Sequence, residues 1–203
     1  MTLDLPPVTV LHGPHLDLVP LTDALAAALW RPEVFAGGWG GGPAAYPASG
    51  DAMTGFLKRF LTADRVFVVI GAQGPLAGQV VGTTSLGEFE TAKERCHLGW
   101  TAYDPRVWGT VVNPECKLLL LGHAFDHGWG RVRIQADSIN ERSRAAIAKL
   151  GATFEGITRR DQLRADGSWR DAALFSVIIE DWPAVKVGLE ARVARESVPF
   201  ADR

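Results

Sequence analysis

The chain has 203 residues, is 47% hydrophobic and 22% charged, and carries a formal net charge of −2 with acids and bases interleaved. That length can bury one sizeable core, and the composition is that of a folded, soluble protein. No basic block points to nucleic acid, no run approaches the ~18 apolar residues of a membrane span, and MTLDLPPVTV lacks the basic-then-apolar order of a signal peptide, so a cytoplasmic protein without nucleic-acid or membrane partners is expected.

In chain order, Val8–Leu11 and Leu16–Leu21 are short β-type runs around Gly13-Pro14. Thr22 or Asp23 can cap a helix to Trp30, which Arg31-Pro32 ends. Residues 36–50 are rich in Gly, Ala and Pro yet carry Trp39 and Tyr46. A loop of that length is often functional, so these two aromatics are candidates for lining a substrate mouth. Asp51 is a plausible cap for a helix to Leu61. Three strands follow on short connections, Arg65–Gly71, Gly78–Leu86 and Cys96–Tyr103, and antiparallel pairing is their simplest topology.

Asp104-Pro105 breaks the third of these strands, and the loop RVWGTVV leads to Asn113-Pro114-Glu115, read as a helix start. The first N–H groups of a helix have no internal partner and its dipole is positive there, so this junction can hold an anion. The helix carries four consecutive leucines. A strand from Val132 to Asp137 and a helix capped by Asn140 and stopped by Gly151 come next, which implies one parallel βαβ crossover in an otherwise antiparallel sheet. Two strands, Thr153–Leu163 and Trp169–Ile179, turn about Asp166-Gly167, and a last helix spans about 181–195. Cys96 and Cys116 lack metal-ligand spacing and read as reduced thiols.

The order of these elements, with WTAYDPRVWGTVVNPECKLLLLGHAF followed by NERSRAAIAKLGA, resembles the GNAT superfamily of acetyl-CoA-dependent N-acetyltransferases, and within it the RimJ/RimL-like branch. The similarity runs from HLDLVPL to RDAALFSVIIEDWPAVK. It implies one α+β domain over residues 1–203, with a mixed, mostly antiparallel sheet of about seven strands and helices on both faces. That sheet would be splayed between its fourth and fifth strands, where acetyl-CoA would lie. The pyrophosphate would meet backbone of Trp108, Gly109, Thr110, Val111, Val112 and Asn113. The family loop reads Q/R-x-x-G-x-G/A. Here Trp108 replaces the Gln/Arg, Val111 the first glycine and Asn113 the last small residue, and side chains at Val111 and Asn113 limit the approach of backbone to phosphate. The resemblance also places Asn140 and Ser143 beside the cofactor arm, and Thr101, Ala102 and Tyr103 on the strand that polarises the thioester.

Acetyl transfer to an amine needs a base for the proton, donors for the developing oxyanion and a stabilised leaving thiolate. His97 occupies the position of the family's Glu in E-I-G-Y/W and is the candidate base, also touching the substrate; Glu88 or Glu90 acting through water is the alternative. Many family members protonate the thiolate with a Tyr on the second helix. That position is Ile147 here, which leaves Tyr103, Ser143 and Ser176 as candidates. Cys116 lies in the first turn of the helix, where a thiol pKa can be lowered. The reaction implied is direct attack by a primary amine, a protein N-terminus or a small molecule, in a ternary complex. The partners are then acetyl-CoA and the amine, and a homodimer is allowed. A non-catalytic acyl-CoA-binding or regulatory module is the alternative. His123 and His127, i and i+4 on one helix, lack a third ligand, so no metal is expected. No G-x-S-x-G elbow supports a hydrolase.

Overall fold

In a computed structural model of the chain, the structure describes residues 3–35, 46–58, 65–164 and 167–195. Among these, the strands are β1 (Leu11–His12), β2 (Leu16–Pro20), β3 (Arg65–Gly71), β4 (Val80–Glu90), β5 (Arg95–Tyr103), β6 (Arg131–Asp137), β7 (Thr153–Leu163) and β8 (Trp169–Ile178). They form one mixed sheet in the order β1-β2-β3-β4-β5-β6-β8-β7. Every neighbouring pair is antiparallel except β5 and β6, which are parallel. The sheet has one strand more than the seven expected. The run expected at Val8–Leu11 is reduced to β1, a two-residue strand at Leu11–His12 that folds back onto β2 through the turn at Gly13.

The helices are α1 (Asp23–Ala28), α2 (Pro32–Phe35), α3 (Gly50–Lys58), α4 (Val112–Asp126), α5 (Glu141–Ala148) and α6 (Trp182–Arg195). They divide between the two faces of the sheet, and β3 shows why its sequence RVFVVIG is apolar after Arg65. Phe67 and Val69 join one core with Val112, Cys116, Leu120 and Leu121 of α4, Ile147 of α5 and Leu189 of α6. Val66 and Val68 point the other way, to Ala26, Leu29, Phe35, Met53 and Leu57 of α1 to α3. Because α4 is roofed by α6, with Phe125 and Trp182 rings 5.2 Å apart, it has almost no polar face. None of the described helices is long and apolar enough to cross a membrane.

Helix starts differ from those expected. Val111 is the N-cap of α4 through its backbone, so Asn113 is the second helical residue and Pro114 the third, where its missing N–H leaves no intrahelical bond unmade. At α3 the capping side chain is Ser49, which accepts from Ala52 N at 3.1 Å, in place of Asp51. Thr22 caps α1 as expected, but that helix ends at Ala28. The expected tip at Asp166 lies outside the described residues, as do residues 36–45 of the Gly-rich loop and 59–64 after α3.

Candidate active site

The site begins where two parallel strands stop pairing. β5 and β6 are in register from Arg95↔Arg131 to Leu98↔Ile134 and no further. Beyond that point β5 continues on β4 as far as Tyr103, while β6 continues on β8 to Asp137. The cause is a bulge in β5. Thr83 pairs with Ala102 and Ser85 with Gly99, so Trp100 and Thr101 together oppose Thr84. Trp100 adopts φ 48°, a left-handed conformation that is costly for a bulky residue. Its ring packs edge-on against Phe56 at 6.1 Å. Thr101 Oγ1 is held by Thr84 Oγ1 at 2.9 Å and by the Lys117 ammonium at 2.7 Å. The parting opens two backbone edges to a ligand at sheet level.

Past Tyr103, buried Asp104 anchors the loop. It accepts from Arg106 N and pairs with the Arg106 guanidinium at 2.7 Å. Burial pushes the Asp104 carboxyl up, but those Arg106 contacts prevail and hold it below its ordinary value. Trp108 Nε1 donates to Tyr103 O at 3.1 Å, and Thr110 Oγ1 donates to Val107 O at 2.7 Å. Gly109 takes φ +75° with open space where a side chain would stand. The backbone N–H of exposed Gly109 has no acceptor among the described residues. Val111 is fully buried, so its side chain turns into the core and does not block approach to the loop, contrary to the expectation. The free N–H of Gly109, the open space beside it and the α4 N-terminus fit a phosphate group. Across the parting, Asn140 Oδ1 accepts from Ser143 N at 3.0 Å and caps α5.

On the α1 side of the sheet one cross-strand row reads Gly87, His97, Arg133, Ser176, Thr153. The His97 ring lies over Gly99: a Cβ there would come within 2.3 Å of His97 Cε1. It therefore leans towards the residue at which β5 and β6 have parted. His97 Nδ1 is 3.4 Å from Glu88 Oε1, and its Nε2 is buried without a hydrogen-bond partner. Glu88 also pairs with Arg133. Hydrogen bonding to His97 outweighs burial, with Arg133 adding its charge, and holds the Glu88 carboxyl below its ordinary value.

The family model for the acetyltransferase (GNAT) domain matches residues 15–153. The chain belongs to the GNAT acetyltransferases. A GCN5-related N-acetyltransferase from Brucella melitensis is 25% identical over 100% of this chain and 94% of its own, with a TM-score of 0.82. A T. thermophilus protein is 32% identical over 91% and 96%, with a TM-score of 0.76. Mycobacterium smegmatis RimJ, solved in complex with CoA-disulfide, shares the fold at 21% identity, 90% and 93% coverage and a TM-score of 0.72. No curated protein matches the chain.

Within this GNAT frame the structure brings together the edge from Thr101 to Tyr103, the loop from Trp108 to Asn113, and the α5 start at Asn140 and Ser143 around one opening. Of the acid candidates, it brings only Ser143 there. Tyr103 points to the α4 side with its hydroxyl buried beside the Cys116 thiol, and burial pushes its pKa well above 10. Ser176 Oγ donates to Glu155 at 2.7 Å and is occupied in that pair. Ile147 is buried in the core. Cys116, expected to have a lowered pKa, is instead pushed up to about 12 by burial. The Tyr46 hydroxyl accepts from Arg31 N and donates to Leu29 O, bracing the end of α1. Trp39 lies outside the described residues. His123 and His127 use a ring nitrogen on Pro7 O and His123 O. Lys117, Arg133 and Arg142 were not anticipated. Only Lys117 left a trace, as a charge directly before LLLL in a mostly apolar helix.

Proposed function

We propose that the protein is an acetyl-CoA-dependent N-acetyltransferase that moves acetyl to a primary amine by direct attack in a ternary complex, with His97 as the general base. The observation that carries this reading is the His97 imidazole leaning over Gly99 towards the parted strands, Nε2 unpartnered and Nδ1 beside Glu88. Acetyl-CoA supplies an activated acyl group. The loop backbone at Gly109 and the N-terminus of α4 would hold its pyrophosphate, and Asn140 and Ser143 would flank its arm. Backbone on the open edge of β5 from Thr101 to Tyr103 would donate to the acyl oxygen as negative charge develops. His97 Nε2 takes the amine proton while Glu88, beside Nδ1, orients the ring. Alignment of the two reactants supplies much of the remaining rate.

A protein N-terminal amine, the acceptor that resemblance to the RimJ/RimL-like branch implies, is the first acceptor to test. Release of free thiol from acetyl-CoA, measured with a panel of N-terminal peptides and small amines, tests the reaction. The buried Ile147, where many relatives carry a tyrosine, favours a second reading as a non-catalytic acyl-CoA-binding module. Saturable CoA binding with no thiol release on any amine would select that reading.

A further inference from the structure

The loop that approaches phosphate carries a tryptophan at its first position, and that tryptophan is not idle. The Arg142 guanidinium, from the first turn of α5, stacks 3.7 Å from the centroid of the Trp108 ring. The ring is itself fixed, because its Nε1 donates to Tyr103 O. Trp108 belongs to the strand-to-α4 loop and Arg142 to α5, so the stack spans the two sides of the opening between β5 and β6. Other nearby arginines are engaged: Arg106 with Asp104, Arg144 with Ser138 O, Arg164 with Asp137. Arg142 is exposed and has no acidic or hydrogen-bonding partner among the described residues. Its neighbour Glu141 projects about 100° around the helix.

A stacked guanidinium uses its flat face and keeps its N–H donors at the rim, in the fork that suits a phosphate. We infer that Arg142, held in place by Trp108, is a phosphate-binding residue for CoA, so that the cation missing from the loop is supplied from α5. This rests on the acyl-CoA reading above. It makes Trp108 a positioning residue whose contribution passes through Arg142.

The test is calorimetric binding of CoA and dephospho-CoA to the wild type, Arg142→Gln, Trp108→Leu and the double variant, with melting temperature recorded for each. Arg142→Gln is expected to weaken CoA about tenfold, with Trp108→Leu weakening it comparably and the double variant losing little more. Arg142→Lys, which keeps charge but not the planar stack, should recover only part. A loss shared by dephospho-CoA assigns the contact to the pyrophosphate; a loss confined to CoA assigns it to the 3′-phosphate. Unchanged CoA affinity in Arg142→Gln overturns the inference and leaves the acyl-CoA reading standing, as do fully additive losses for the claim about Trp108. A wild-type protein that does not bind CoA overturns both.

Discussion

Lys117 Nζ lies 2.7 Å from Thr101 Oγ1 and 3.1 Å from Thr84 Oγ1, buried behind the bulge that opens the sheet. No carboxylate pairs with it among the described residues, and burial pushes its pKa down to about 8 from 10.5. Below pH 8 it is charged in both folded and unfolded chains, and the folded state bears the full desolvation cost. Between pH 8 and 10.5 the folded lysine is neutral while the unfolded one remains charged. The unfolded state then binds more protons, and stability rises with pH. Lys117→Met should therefore be the more stable protein at pH 7, by roughly 3 kcal/mol, and its advantage should shrink as pH climbs through that window. Urea unfolding of both proteins at steps from pH 7 to 10 measures the gap. A gap that does not change with pH would contradict the assignment.

Gly99 gives the His97 ring its position. A Cβ there would meet Cε1 at 2.3 Å and Nε2 at 2.9 Å, so Gly99→Ala must displace the imidazole. The expected result is a loss of about 1–3 kcal/mol in stability from overpacking, with turnover falling at least about tenfold through misplacement of the base. CoA affinity should be unchanged. Thiol release, chemical denaturation and calorimetry on the one variant separate the three quantities.

Glu88 acts on the same ring from its other nitrogen, at 3.4 Å. Glu88→Gln should lower kcat about tenfold with little change in the KM for acetyl-CoA, and Glu88→Asp should restore part of the loss. Equal rises in KM and falls in kcat would point to a general structural role instead.

Both cysteines are shielded. Burial pushes the Cys96 and Cys116 thiols up to about 12. Neither should react with a thiol-modifying reagent at pH 8 in the native protein, and both should react in denaturant. Rapid labelling of Cys116 in the native protein would revive it as a nucleophile.

Local signals carried far in this chain where they were also the signals the fold uses. The run Arg65–Gly71, apolar after its first residue, became β3 residue for residue because both of its faces are covered. Asn140 caps α5 because its own side chain reaches Ser143 N. The start of α4 was misplaced because its cap is backbone, at Val111, and residue preferences at Asn113 do not see that. The opening between strands was legible only through family resemblance. It depends on a bulge at Trp100 and Thr101, to which the only local pointer was Gly99 just before it. His97 was readable from its place in HLGW, but its contact with Glu88 was not. That pairing follows from register across the β4–β5 turn, as the Lys117 contacts follow from helix-on-sheet packing. Arg142 and Trp108 are separated by 34 positions and meet only because the crossover returns α5 to the loop.

Thiol release from acetyl-CoA in the presence of an amine acceptor, compared between the wild type and His97→Gln, is the most direct test of the account. It predicts steady turnover in the wild type and a drop of about 10²–10⁴ in kcat for the variant, with CoA binding intact. A His97→Gln protein that turns over as fast as the wild type would contradict it.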